Sequence, residues 1–284
     1  MQKKPEAVMR WNSGEVCFLK KAVTAALILG AAFMAVFCAQ AARAENVLKV
    51  GGDCTYPPFT YKDSSGRLQG FDIDIAEEIA RRLNMTMQHQ CVAWDGLIPG
   101  LMVGKYDVII AAMDITPERA RRVDFSLPYY RAPSAFVGLK SAAKAPLDST
   151  GRLAADFVAG KAVGVLRASI YEKYLQKTYP GVNLTRYGTI DDALMDLKAG
   201  RIDLVFTDMP KVEADFLHKT DNKDFAFIGP KIEDYAVLGE GSAVVLRKGN
   251  TALRDQVNMA VKAMMRDGTY DKINRKYWSF SVKP

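Results

Sequence analysis

The chain carries the same strand-and-helix plan twice. Residues 46–51, 85–92 and 107–112 read as strands, separated by helical patterns at 72–83 and 94–102. Residues 162–166, 184–187 and 203–207 then read as strands, separated by helical patterns at 169–177 and 190–199. In the first helical pattern Ile75, Ala76, Ile79, Ala80 and Leu83 share one face, the spacing of an amphipathic helix. The apolar run from Val108 to Ala112 has the composition of a strand buried on both faces. The halves echo each other at Gly104-Lys105-Tyr106-Asp107 and Gly200-Arg201-Ile202-Asp203, where a helix-stopping glycine precedes an apolar strand. Strands alternating with helices require parallel sheets with helical crossovers, so the plan confines the chain to α/β architecture. Two such units make two lobes, with ligand sites at the carboxyl ends of their strands. The tail adds a strand at 242–246 and helices at 252–267 and 269–278. If it packs back on the first unit, the chain crosses between lobes at 131–134 and again at 232–239, and two crossings make a hinge.

Residues 1–44 stand outside this plan. Lys20 and Lys21 precede an uncharged apolar stretch at 22–39, and Ala42-Arg43-Ala44 places small residues where a signal peptidase reads. This predicts a secretory signal cut before Glu45, and hence a periplasmic protein. The apolar stretch is at the short limit for a membrane span, which favours removal over anchoring. The leader holds six of the 39 basic and two of the 32 acidic residues, so the remaining 240 carry +3 rather than the +7 of the whole chain. That balance calls for neither nucleic acid nor an anionic membrane. Cys54 and Cys91 remain after the leader, in an oxidising compartment where they either form a disulfide or stay as buried thiols. With His89 and His218 they make no metal-site spacing, and no cofactor is expected.

The strand ends supply the candidate binding residues. After the first strand come Asp53, Cys54 and Tyr56, in a loop stiffened by Pro57 and Pro58. Trp94 follows the second strand, and Ala112, Met113, Asp114 and Arg119 follow the third. In the second lobe the matching positions are Arg167, Ser169 and Ile170, then Asp208. Thr116, Pro117 and Glu118 suit a helix start, and Arg119 falls in its first turn, where a cation is disfavoured. Arg119 is therefore either a surface arginine paired with Glu118 or Asp124, or a clamp for a small carboxylate beside free N–H groups. Tyr56 and Trp94 read as a sandwich for an alkyl chain or guanidinium, against the alternative of core packing. Asp208 reads as a partner for an ammonium group, as a helix cap, or as both. Asp53, Asp72 and Asp114 put three acids at one rim, which favours a cationic ligand tail.

These residues also carry a family resemblance. Gly70-Phe71-Asp72-Ile73-Asp74-Ile75-Ala76-Glu77-Glu78-Ile79-Ala80 is similar to the signature of the family 3 extracellular solute-binding proteins, the amino-acid receptors of ABC importers. Thr55-Tyr56-Pro57-Pro58-Phe59, Asp114-Ile115-Thr116-Pro117-Glu118-Arg119 and Asp267-Gly268-Thr269-Tyr270-Asp271-Lys272-Ile273 resemble the arginine and lysine/arginine/ornithine branch. The resemblance covers essentially all of 45–284. It implies the two-lobed type II periplasmic-binding-protein fold, with a ligand cleft between lobes and two hinge-crossing segments. Lobe 1 would take 45–131 and 236–284, and lobe 2 would take 132–235. It implies Arg119 on a ligand α-carboxylate, Asp208 on its α-ammonium, Tyr56 and Trp94 against its side chain, and Asp53 and Asp72 facing a distal cation. Asp114 resembles an aspartate of the arginine receptors.

The expected function is a monomeric, non-enzymatic receptor that binds a cationic amino acid (arginine first, then lysine, ornithine or histidine) and delivers it to the membrane permease of an ABC transporter. Two departures keep alternatives open. The second-lobe loop reads Ala168-Ser169-Ile170 where Gly-Ser/Thr-Thr is usual, and Arg167 stands where a neutral residue is usual. Arg167 would suit an extra anionic group, as in an octopine- or nopaline-like opine, and Trp94-Asp95-Gly96 also resembles the opine receptors. A dehydratase-like enzyme on the same fold is the remaining alternative. The family's usual cysteine pair is absent at Ala80 and Met87, so a Cys54–Cys91 bond would be a different one.

Overall fold

The computed structural model describes residues 46–284. The leader, its apolar stretch and the cleavage point before Glu45 lie outside the described residues. Among the described residues no helix is long and apolar enough to cross a membrane.

β1 (Val47–Gly52) opens the first lobe and leads into a small antiparallel sheet of β2 (Thr55–Tyr56), β3 (Thr60–Lys62) and β4 (Leu68–Gln69). The helix Phe71–Arg82 follows and buries Ile75, Ala76, Ile79 and Ala80 of the predicted face together with Phe71, while Leu83 falls at its C-cap and is partly buried. Asp72 and Asp74 lie in its first turn and Arg81 and Arg82 in its last, each sign at the favourable end of the helix dipole. β5 (Thr86–Cys91) and β6 (Val108–Ile109) flank β1 in parallel, and β7 (Val123–Tyr130) closes the first pass. The sheet order is β5-β1-β6 and then, after a strand from the chain's tail, β7.

The chain leaves for the second lobe between Tyr130 and Ser134. There β8 (Ser134–Leu139), β9 (Ala162–Leu166), β10 (Asn183–Tyr187), β11 (Leu204–Asp208) and β12 (Phe225–Ile232) form one sheet in the order β10-β9-β11-β8-β12. β9, β10 and β11 are parallel, and β8 and β12 join antiparallel. After Ile232 the chain returns through the short helix Tyr235–Leu238, and β13 (Ser242–Arg247) inserts antiparallel between β6 and β7. The helices Thr251–Arg266 and Thr269–Asn274 pack beside it, so the tail completes the first lobe.

The two crossings are tied to each other. Arg131 donates to the Glu240 carbonyl from Nε (3.1 Å) and Nη2 (2.6 Å), and its guanidinium lies 5.2 Å from the Tyr235 ring centre. The strand expected at 107–112 is shorter than its composition suggests. Ile110 N still bonds the Gly51 carbonyl, but Ala112 turns to φ 44° and takes the chain out of the sheet. Each lobe has its own apolar interior, one around Leu48, Val50, Phe71, Ile79, Val108 and Val244 and the other around Phe136, Val163, Val165, Leu204 and Phe206.

Candidate functional site

The carboxyl ends of the parallel strands in both lobes converge on one cavity. Its volume is about 450 Å³, counting the space at its mouth. Asp53, Tyr56 and Asp72 line it from the first part of lobe 1, Trp94, Ala112, Asp114 and Arg119 from the later part, and Ser169 and Ile170 from lobe 2. Nine of the expected residues thus surround a single space. Phe59 and Ala111, from the same strand ends, line it too, as do Thr60, Leu166 and Tyr171. Tyr171 carried a usable signal, since it sits two residues past Ser169 in the first turn of the same helix.

Arg119 resolves the choice posed by its position. Glu118 pairs with Lys173 and Asp124 with Lys248, so neither holds Arg119. Arg119 is itself buried, donates from Nη1 to the Asp114 carbonyl at 2.9 Å, and sits 5.4 Å from the Trp94 ring centre. Burial disfavours its charge, and the nearby Asp114 carboxylate opposes that effect. Pro117–Ala120 is four residues long and the Arg119 N–H is taken by the Thr116 hydroxyl at 3.2 Å. The longer helix Ile170–Thr178 presents its start to the cavity instead, with Ser169 capping it through Glu172 N–H.

The acids are the other half of the site. Asp72 is fully buried: its Oδ1 accepts from the Tyr129 hydroxyl at 2.8 Å and its Oδ2 finds no partner in the protein. Thr60 Oγ1, on the same cavity wall, also finds none. Asp114 accepts from Ser242 Oγ at 3.2 Å, and Asp53 accepts from the backbone and side chain of Thr55 at 2.9 and 2.6 Å. Burial pushes the Asp72 and Asp114 carboxyls up to about 7; for Asp114 the Arg119 charge opposes the rise. Burial also raises Asp53, against its hydrogen bonds from Thr55. Three carboxyls and one guanidinium therefore share a small, largely closed space, an arrangement that favours an incoming cation over an anion.

Asp208 behaves as the cap-and-partner residue. Its Oδ1 accepts from Lys211 N–H at 2.9 Å and from the Tyr130 hydroxyl at 3.4 Å, while Oδ2 accepts from the hydroxyls of Tyr56 and Tyr171. Burial, and then the Asp208 charge, hold these three tyrosines far above their usual range, so they remain donors. Tyr56 belongs to lobe 1 and Asp208 to lobe 2, so this contact joins the lobes. Asp208 stands behind the cavity wall rather than among the residues lining it.

Comparison with known proteins accounts for this geometry. The family model described as bacterial extracellular solute-binding proteins, family 3, matches residues 48–280. The chain belongs to that family. The L-arginine-binding protein of Pseudomonas aeruginosa is 38% identical over 257 residues, 90% of this chain and 96% of the relative. The lysine/arginine/ornithine-binding periplasmic protein of Escherichia coli is 36% identical over 239 residues, 84% of this chain and 89% of the relative. The solved structure of an ancestral arginine-binding protein bound to arginine is 37% identical with a TM-score of 0.72, covering 82% of this chain and 99% of its own. The two-lobed fold of these family 3 proteins is the fold found here.

Two expectations within the family framework are overturned. Arg167 does not line the cavity; it is half exposed and pairs with Asp95 at 2.9 Å, because the left-handed turn at Ala168 (φ 55°) sets residues 167 and 169 on different sides. With that arginine engaged elsewhere, the opine expectation loses its residue. Met113 does not line the cavity either; it is buried among Leu97, Val123 and Val245. The sulfurs of Cys54 and Cys91 are bonded, with Cα atoms 5.4 Å apart, so they do not stay as thiols. Sequence spacing also hid a neighbour: His89 Nδ1 lies 3.9 Å from Cys54 Sγ, and all three ligand-type atoms fall within 4.8 Å of one another. Both sulfurs are spent in the bond, so the trio is a disulfide packed on a partly buried histidine whose pKa desolvation lowers to about 4.

Proposed function

We propose that this chain is a periplasmic receptor for a cationic amino acid, L-arginine first and lysine, ornithine or histidine after it, which it hands to the permease of an ABC transporter. The observation that carries the reading is the charge pattern of the cavity: Asp53, Asp72 and Asp114 face one Arg119, and Asp72 Oδ2 and Thr60 Oγ1 have no protein partner. A guanidinium or ammonium tail would supply those missing donors. Arg119 and the start of the helix Ile170–Thr178 would take the α-carboxylate. Asp208 would take the α-ammonium, exchanging a tyrosine hydroxyl for it, and Tyr56 and Trp94 would flank the side chain. The names of the arginine- and lysine/arginine/ornithine-binding relatives support this ligand class.

In this reading the working protein is a monomer that begins at Glu45. Lobe 1 takes 45–131 and 236–284, lobe 2 takes 132–235, and closure of the lobes buries the ligand. Calorimetry on residues 45–284 with arginine, lysine, ornithine, histidine and glutamine tests the assignment. Heat from arginine and weaker heat from the other cations is expected, with the least from glutamine. Silence from every cation, or glutamine binding as tightly as arginine, sinks it.

A further inference from the structure

A second recess adjoins the cavity. It measures about 770 Å³, open solvent at its mouth included, and is bounded by Trp94, Asp95, Glu118 and Arg119 of lobe 1 and by Ala168 and Lys173 of lobe 2. Trp94 and Arg119 line both spaces, so the stacked indole and guanidinium form the partition between them. Three contacts cross the recess from lobe to lobe. Arg167 Nε meets Asp95 Oδ2 at 2.9 Å, Lys173 Nζ meets Glu118 Oε2, and Trp94 Nε1 donates to the Ala168 carbonyl at 3.4 Å. The residue beside the Arg167 guanidinium is Gly188; a Cβ there would stand 3.2 Å from Nη2, so the missing side chain leaves Arg167 room.

We infer that Arg167–Asp95 and Lys173–Glu118 are two straps across the mouth of the cleft, and that ligand leaves through the seam they close. Resting on the receptor reading above, this assigns Arg167 and Lys173 as positioning residues that retain ligand without touching it. The argument is one of reach and timing. Each pair joins the lobes, so each exists only while they are together and adds its energy to the closed state alone. A ligand can enter before the straps form but can leave only after they break, so their effect falls on dissociation. Both pairs are about half exposed, and pairs of that kind change an equilibrium by roughly 1.5- to 5-fold each. Salt screens them for the same reason.

Stopped-flow association and dissociation of L-arginine, at low and high salt, tests this on residues 45–284. Arg167→Gln and Lys173→Gln should each raise the dissociation rate about 1.5- to 5-fold, and together about 2- to 25-fold, with the association rate little changed. The reversed pair Asp95→Arg with Arg167→Asp should restore most of the loss, which a merely structural role would not. High salt should speed dissociation from the parent protein and leave the double variant nearly unaffected. Unchanged dissociation in both single variants, or equal salt dependence in parent and double variant, overturns the straps while leaving the receptor reading intact. Failure of the parent protein to bind any of the five amino acids removes the receptor reading and the straps with it.

Discussion

Asp72 and Asp114 invert the usual behaviour of an aspartate. Burial raises both to about 7 from an ordinary value of 3.8, so the folded protein holds their protons more tightly than the unfolded chain does. Their contribution to stability is best at acid pH and declines as pH rises from about 4 to about 7. Binding runs the other way, because a cation pairs with the ionised acid. Affinity for arginine should be full above pH 7 and fall about tenfold per pH unit below it for each acid that must ionise, as calorimetry between pH 5 and 8 would show. Replacing Arg119 by alanine should cost more than a hundredfold in affinity, since breaking a buried ionic partnership costs about 3–5 kcal/mol; a loss below tenfold would mean that Arg119 is not the carboxylate clamp. Ala168 is a residue with a Cβ in the left-handed region, where the family usually has glycine. Ala168→Gly should raise the unfolding free energy by about 1 kcal/mol in urea titration. Arg119, Asp114 and Tyr56 were legible beforehand because chain order alone puts them at strand ends. The outward turn of Arg167 and the inward one of Met113 were not, because one left-handed residue or one step along a strand reverses a side chain.

The loop from Asp53 to Phe59 brings Asp53, Tyr56 and Phe59 to the cavity, and the Cys54–Cys91 bond ties it to the end of β5. The bond spans 37 residues, for which chain entropy gives a stabilisation on the order of 4 kcal/mol. Replacing both cysteines by serine should remove up to that amount in chemical unfolding, and should weaken ligand binding because Asp53 and Tyr56 lose their anchor. Stability and affinity both unchanged would mean that the loop is held by packing alone. The parallel strands and amphipathic helices were legible from periodicity, but β7, β8 and β12 were not. β7 and β12 are edge strands of their sheets and carry Pro128 and Pro230, residues that read as breaks yet are tolerated where one side of the strand is unpaired. β8 follows directly on Pro133 and the crossing, with no turn signal of its own. The hairpin of β2–β4 escaped because strands of two or three residues are too short to show a period.

At the scale of the whole molecule, the repeated plan led to two lobes and two crossings, and the structure adds that the crossings are fastened to each other by Arg131 on Glu240. Such fastening restricts the lobes to a shared bending motion instead of independent twisting. The indole groups bear on that motion in another way. Of the three tryptophans, Trp94 and Trp278 lie among the described residues. Trp94 donates its N–H to Ala168 and Trp278 donates its own to Pro210 at 3.3 Å, so each belongs to lobe 1 and is satisfied by lobe 2. Parting the lobes strips both partners at once and admits water to Trp94. The protein thereby carries its own optical gauge of lobe separation: emission should shift to the blue as arginine closes the cleft and to the red as it opens. Trp94→Phe should remove most of that change, and a ligand-independent spectrum in the parent protein would mean that the lobes do not move.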